Sequence, residues 1–324
     1  MTGFLIQRLL QAIVIMAVMS VIVFAGVYAI GNPLEVLLPP EAPQDIRDAV
    51  IKRFGLDRPL WEQYGLYIYN LFQGDLGRSY IYNEPVLQLI FGRLPATIEL
   101  VLTSVIGALV IGVPLGIWAG YRPNAFSSRA IMAVSILGFS VPTFWIGLIL
   151  ILTFAVNLGW LPSGGRGDTV EVLGVAWSVF TLDGWSHLIL PATNLALFKL
   201  AIMIRLARAG TREVMLSDTV KFARAAGISE GTIIRRHVLK LISIPIATVF
   251  GLELGSTLAF AVVTETIFAW PGVGKLIIDS IQNLDRPVMM AYLILTAGLF
   301  VTINLVVDLV YALLDPRLRR RAAP

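Results

Sequence analysis

Charged and uncharged positions divide the chain into long blocks. Four stretches carry no charge at all: Leu9–Leu34, Leu100–Tyr121, Ala130–Gly165 and Pro287–Val307. A helix needs about 20 apolar residues to cross roughly 30 Å of hydrocarbon, so each can hold a span, and the third holds a span plus its exit loop. Two further stretches qualify once internal charge is allowed: His187–Leu206 around Lys199 and Leu241–Thr264 around Glu253. The pattern predicts an all-α polytopic membrane protein of six transmembrane helices, near residues 9–30, 98–120, 131–156, 187–207, 243–264 and 289–312. An external segment covers 31–96, a cytoplasmic loop covers 208–240, and the whole chain forms one membrane domain. The first apolar run exceeds the roughly 7–15 residues of a signal-peptide core and ends in no small-residue cleavage site, so it reads as a span.

Composition agrees, with 57% hydrophobic and 14% charged residues among 324, against roughly 25% charged in soluble domains. Charge placement sets the orientation. With six spans, 15 of the 25 Lys and Arg fall on the side of the termini and 9 opposite, while 14 of the 21 acids fall on the far side. The positive-inside rule puts both termini in the cytoplasm of a cell whose inner membrane holds the chain. The basic balance of +4 is thus confined to inner loops and calls for no nucleic acid. Trp160, Trp185 and Trp270 fall near outer span ends, where an interfacial aromatic belt is expected.

The chain has no cysteine. Thiol chemistry and cysteine-ligated metals are therefore excluded. Pro271–Lys275 lacks the spacing and hydroxyl of a phosphate-binding loop, so ATP hydrolysis by this chain is not expected. The two histidines, His187 and His237, lie about a membrane thickness apart in this topology, and no nucleophile pattern or cofactor site is legible. The external segment is punctuated by Pro and rich in aromatics; Pro59 and Glu62 mark a helix start there. The glycines of Ser163–Gly167 suit tight turns. Gly112, Gly116 and Gly120 place three bare strips on one helix face for a close neighbour. Gly251 and Gly255 repeat the spacing, and Pro114, Pro142 and Pro191 offer kinks.

Residues Arg208–Lys240 carry seven basic and three acidic side chains. Ser217 or Asp218 can cap a short helix through Ala226, Gly227 stops it in a left-handed conformation, and Ser229 caps a second helix with Ile228 and Ile233 spaced as a hydrophobic staple. The result is helix, glycine elbow, helix. Its first helix offers Phe222, Ala223, Ala225, Ala226 and Ile228, flanked by Lys221 and Arg224, to a partner groove or to anionic lipid.

The run Asp218–Ser229 followed by Arg236-His237-Val238-Leu239 resembles the coupling-loop motif of binding-protein-dependent ABC importer permeases, most of all the dipeptide/oligopeptide (peptide/nickel) branch and its first, B-type, permease. Three other segments resemble that branch: Phe54–Pro59 through Gly74-Asp75-Leu76-Gly77, Thr264–Phe268 with Pro271-Gly272-Val273-Gly274, and Asn304 with Asp308, Tyr311 and Asp315-Pro316-Arg317. The resemblance implies a type I ABC importer permease architecture, with Lys221, Phe222, Ala223, Arg224, Ala225, Ala226, Gly227, Ile228 and Ser229 seated in the cleft of an ABC ATPase subunit. It also implies a second homologous permease and an extracytoplasmic solute-binding protein that delivers a di- or oligopeptide, a nickel chelate or a related solute. Lys221 stands where the general permease motif has Glu, a departure shared by the peptide branch.

Glu253 is placed near a span centre, where an unpaired acid costs about 2.5–3.5 kcal/mol. Three readings stay open for it: lining the solute path, hydrogen bonding between helices, or proton coupling. Lys199 can snorkel toward the cytoplasmic end, Asp308 is expected to pair locally, and Glu99, at the outer start of its span, calls for no functional role. The competing function is an ion-coupled secondary transporter, which needs repeated halves and several intramembrane ionisable groups. An intramembrane enzyme would need a catalytic pair within the spans.

Overall fold

A computed structural model describes residues 2–30, 34, 38 and 41–314, with side chains of 2–5, 53, 54, 139, 259 and 307–314 left aside. Its contacts divide the chain into two units, Met1–Pro95 with Gly272–Thr302 and Ala96–Pro271 with Ile303–Pro324.

In the first unit, α1 (Thr2–Ile30) is followed by α2 (Gln44–Phe54) and α3 (Leu60–Phe72). Pro59 precedes α3 and Glu62 lies in its first turn, as the sequence indicates. Near the end of α1, Phe24 stacks on Tyr28 and meets Tyr64 edge-on, Tyr28 Oη donates to Gln63 at 2.5 Å, and Ser20 and Tyr64 hydroxyls pair at 2.9 Å. Helix α3 is thereby clamped over α1. The unit is completed by α11 (Val273–Gln282) and the start of α12 (Arg286–Leu314). Met16 lies beside Gly298 and Tyr28 beneath the Arg286 guanidinium, so α1 and α12 are antiparallel. Asp285 is fully buried, accepting hydrogen bonds from the Ser79 hydroxyl and the Tyr80 amide, which fixes the loop before α4.

Helix α4 (Val86–Tyr121) supplies residues to both units. In the second unit follow α5 (Phe126–Ser140), α6 (Thr143–Leu150) extended by a π-helical turn Ile151–Asn157, the hairpin β1 (Val170–Val172) and β2 (Val175–Trp177), then α7 (Leu182–Met215), α8 (Asp218–Ala225), α9 (Glu230–Ile233), a second π turn Ile234–Val238, and α10 (Leu239–Ile267). The glycine stripe does what its spacing predicts. A β-carbon on Gly112, Gly116 or Gly120 would stand 2.8, 2.6 or 2.7 Å from the β-carbons of Met203, Ala207 and Thr211 respectively. Only bare backbone lets α4 lie so close to α7.

These pairs advance together along both helices, so α4 and α7 are parallel. The chain between them must therefore return across the unit. It does so through Phe126–Gly138 and Thr143–Asn157, two apolar helices joined by a 107° bend. That bent pair counts as a span beside five long apolar helices, which makes six. The bend falls at Pro142, preceded by Val141 in the extended conformation that proline imposes on its predecessor. Pro114 and Pro191, in contrast, lie inside continuous helices, where other groups in a packed bundle accommodate the lost backbone bond.

Helices α7 and α10 are antiparallel: Asn194 meets Thr264, Lys199 meets Ser256, and Gly210 faces Ile242. One sequence expectation is corrected at the α4 end of this unit. Trp270 is not an interfacial residue: it is 0% exposed and its indole donates to Ala96 O at 2.8 Å, sealed among Leu100, Leu188 and Ala261. Glu99 has a structural task that the sequence did not show. Its buried carboxylate accepts from Arg166 Nε and Nη2 at 3.0 and 2.9 Å and from the amides of Ser178 and Val179, both at 2.6 Å. One acid thus gathers the glycine-rich loop and the turn after the hairpin onto α4. The hairpin turns through Leu173 and Gly174, both at positive φ, leaving Leu173 99% exposed.

Candidate functional site

The loop between α7 and α10 folds as an ordered elbow. Helix α7 ends at Met215, and Ser217 adopts extended backbone before α8. Its hydroxyl does not cap α8, as the sequence suggests, but donates to Val214 O at 2.6 Å; the Ser217 carbonyl receives the Val220 and Lys221 amides instead. Helix α8 stops in a Schellman arrangement: Gly227 N donates to Arg224 O and Ile228 N to Ala223 O, both at 3.0 Å, with Gly227 at φ 76°. A β-carbon at 227 would meet nothing within 4 Å, so it is the backbone conformation that calls for glycine there. Ser229 precedes α9 in extended conformation, and its hydroxyl pairs with Thr232 at 2.9 Å rather than with a backbone amide.

Packing splits the elbow into an anchored face and a presented one. Val220 and Ala223 point inward with Ile233, Val238 and Ile242 against Met203, Ala207 and Val214. Ala223 is only 3% exposed, so it belongs to this anchor and leaves the group of presented side chains. The reason is helical spacing: 220 and 223 share the face turned to the core. Phe222 is 77% exposed, and Ala225, Ala226, Gly227, Ile228 and Ser229 are exposed beside it. Leu216, not singled out in the sequence, adds a second large apolar side chain in the open just before α8. Charges frame the patch. Lys221 Nζ contacts Asp218 at 2.9 Å, and Arg224 contacts Glu230 at 2.7 Å across the glycine turn. Hydrogen bonding to Glu230 raises the Arg224 pKa above its already high ordinary value.

Glu253 is not a lone acid. Lys199 Nζ lies 2.5 Å from Glu253 Oε2, with the two side chains 5% and 16% exposed. Ser256 Oγ accepts from Lys199 and donates to Glu253, each at 3.2 Å. The Lys199 ammonium also stands 5.2 Å from the Phe198 ring centre and 5.8 Å from that of Phe260. Lys199 therefore does not snorkel to an interface; an opposite charge within contact distance holds it inside. The pairing was hidden in the sequence because residues 54 positions apart meet only once α7 and α10 are laid antiparallel. The side chains of Asp308 and Tyr311, and Asp315-Pro316-Arg317, lie outside the described residues.

Comparison with known proteins places these features among related chains. Residues 112–320 match the family described as binding-protein-dependent transport system inner membrane component, and residues 1–101 match the N-terminal family of such membrane components. The chain is 38% identical to the dipeptide transport system permease protein DppB of Alkalihalophilus pseudofirmus, covering 98% of this chain and 100% of the relative. It is 38% identical to the oligopeptide transport system permease protein AppB of Bacillus subtilis, and 37% identical to the glutathione transport system permease protein GsiC of Escherichia coli K12, covering 98% of this chain and 99% of the relative in each case. Among solved structures, a chain from the inward-facing MetNI methionine ABC transporter superposes with TM-score 0.58 at 17% identity, over 72% of this chain and 99% of that one. That likeness concerns the fold.

Proposed function

Because the chain belongs to the family of inner-membrane components of binding-protein-dependent transport systems, we propose that it is the permease subunit of an ATP-driven importer of di- and oligopeptides or a closely related solute. The dipeptide, oligopeptide and glutathione relatives share a peptide cargo, which supports that class over a nickel chelate. ATP is hydrolysed by separate ABC ATPase subunits. A second homologous permease completes the pore, and an extracytoplasmic binding protein delivers the solute. Both termini and the elbow face the cytoplasm, in keeping with the concentration of Lys and Arg on that side.

One observation carries the mechanical part of this reading: the elbow exposes Phe222 at its surface while Val220 and Ala223 bind it to the ends of α7 and α10. A partner that grips residues 221–229 acts on the helices through that anchor. An aromatic knob framed by ion pairs fits an apolar cleft with a polar rim. Glu253 and Lys199 together are proposed to line the solute route, where they form a neutral pair in place of a lone charge.

The experiment is co-expression with the genes beside it and reconstitution in vesicles. ATPase subunits co-purify, and labelled dipeptide enters only with ATP. Phe222→Asp is expected to release the ATPase and abolish ATP-driven uptake while the variant inserts normally. A variant that keeps its ATPase and full uptake contradicts the assigned role of the elbow.

A further inference from the structure

Helices α7 and α10 lead into and out of the elbow, and they are tied at three heights. Furthest from it, Asn194 Nδ2 donates to Thr264 Oγ1 at 3.0 Å in a buried setting. Midway lie Lys199 and Glu253, 2.5 Å apart and bridged by Ser256. Next to the elbow, Gly210 admits Ile242, which joins the core holding Val220, Ala223 and Ile233. From Asn194 to Gly210 the ties span about 24 Å of helix.

The contrast with α4 is informative. There Gly112, Gly116 and Gly120 lie against Met203, Ala207 and Thr211, a contact of bare backbone with uncharged side chains. Between membrane helices, apolar contacts resist sliding weakly because lipid offers equivalent surroundings. Parting Lys199 from Glu253, however, strands two charges in a low-dielectric interior. Packing alone needs no such pair. We infer that Lys199 and Glu253 are positioning residues for coupling: they lock α7 and α10 into one rigid lever that carries movement of the elbow to the Asn194–Thr264 end. The inference rests on the proposed ATP-driven role and deepens it, since it assigns the pair to force transmission as well as to the solute route.

The test uses the full importer, with ATPases, companion permease and binding protein, in vesicles supplied with labelled dipeptide. Uptake per ATP hydrolysed is measured together with the KM for dipeptide. Lys199→Met and Glu253→Gln are expected to lower uptake per ATP by about two- to thirtyfold, the range for mutations that weaken coupling, while ATP hydrolysis continues. The reversed pair Lys199→Glu with Glu253→Lys restores it. Wild-type uptake per ATP in both single variants, or a change confined to KM, overturns the lever.

Because these variants can fail to assemble, a second arm leaves the pair intact. A β-carbon at 210 stands 3.6 Å from that of Ile242, within the roughly 3.5–4.5 Å that a disulfide spans. The chain has no cysteine to interfere with Gly210→Cys/Ile242→Cys. If α7 and α10 move as one, oxidation of that pair leaves uptake intact; loss of uptake that reductant reverses refutes the lever. An assembly that takes up no dipeptide under ATP counts against the proposed function instead. The lever is then read from spin labels on the exposed Thr193 and Val263, whose separation stays constant with and without ATP if it holds and shifts if it does not.

Discussion

Gly227 and Glu99 show how single residues set local geometry here for different reasons. Gly227 has free space around it and a φ of 76°, so replacement costs only the strain of a left-handed residue, about 1–2 kcal/mol. Gly227→Val is expected to cut ATP-coupled uptake while protein yield holds, and Gly227→Asn, which tolerates that conformation, to retain most of it. Uptake assays on the two variants check this. Glu99 is the opposite case, a buried acid with four donors. Glu99→Gln leaves Arg166 without its charge partner, and breaking such a pair costs about 3–5 kcal/mol. Faster proteolysis within 158–181 and a lower midpoint of thermal unfolding in detergent are the expected signs. The sequence marks Gly227 plainly, because the cap, the apolar run and the stop stand within a dozen residues. It could not mark Glu99, whose partner Arg166 lies 67 positions away in a loop that reads as glycine turns.

Among the elements, close packing of α4 on α7 is the most legible from sequence, since its signal is a local period. Gly116→Leu drives a side chain into Ala207 and the Ile204 carbonyl, both 2.6 Å from a β-carbon at 116, and overpacking of this kind costs about 1–3 kcal/mol or more. Gly107→Leu, on the same helix with nothing within 4 Å, is expected to be tolerated. Comparing folded yield by size-exclusion chromatography separates the two. The α7–α10 tie was illegible for the converse reason: its charges look like isolated anomalies until the antiparallel register joins them. In the segment between α1 and α4, burial pushes Tyr67 and Tyr80 up to about 12 from 10.0. The folded state binds these phenolic protons more tightly than the unfolded chain. The corresponding stability is complete below pH 10 and drains away as pH climbs toward about 12. A late rise in phenolate absorbance, reduced in Tyr67→Phe/Tyr80→Phe, is the expected titration.

For the whole molecule, hydropathy and charge bias were enough to count six crossings, but counting alone could not tell whether the bent third segment crosses or folds back. Parallel packing of α4 and α7 decides that question from contacts within a single unit. The aromatic belt shows the limit of the method, because a tryptophan near a span end reads alike whether it meets lipid headgroups or is roofed over by its own fold. Trp270 is roofed over. Of seven tryptophans it alone is fully enclosed by protein. Its light emission is therefore shielded from quenchers dissolved in water and from brominated acyl chains alike, which gives this chain a native optical gauge of whether the joint between the start of α4 and the end of α10 stays shut.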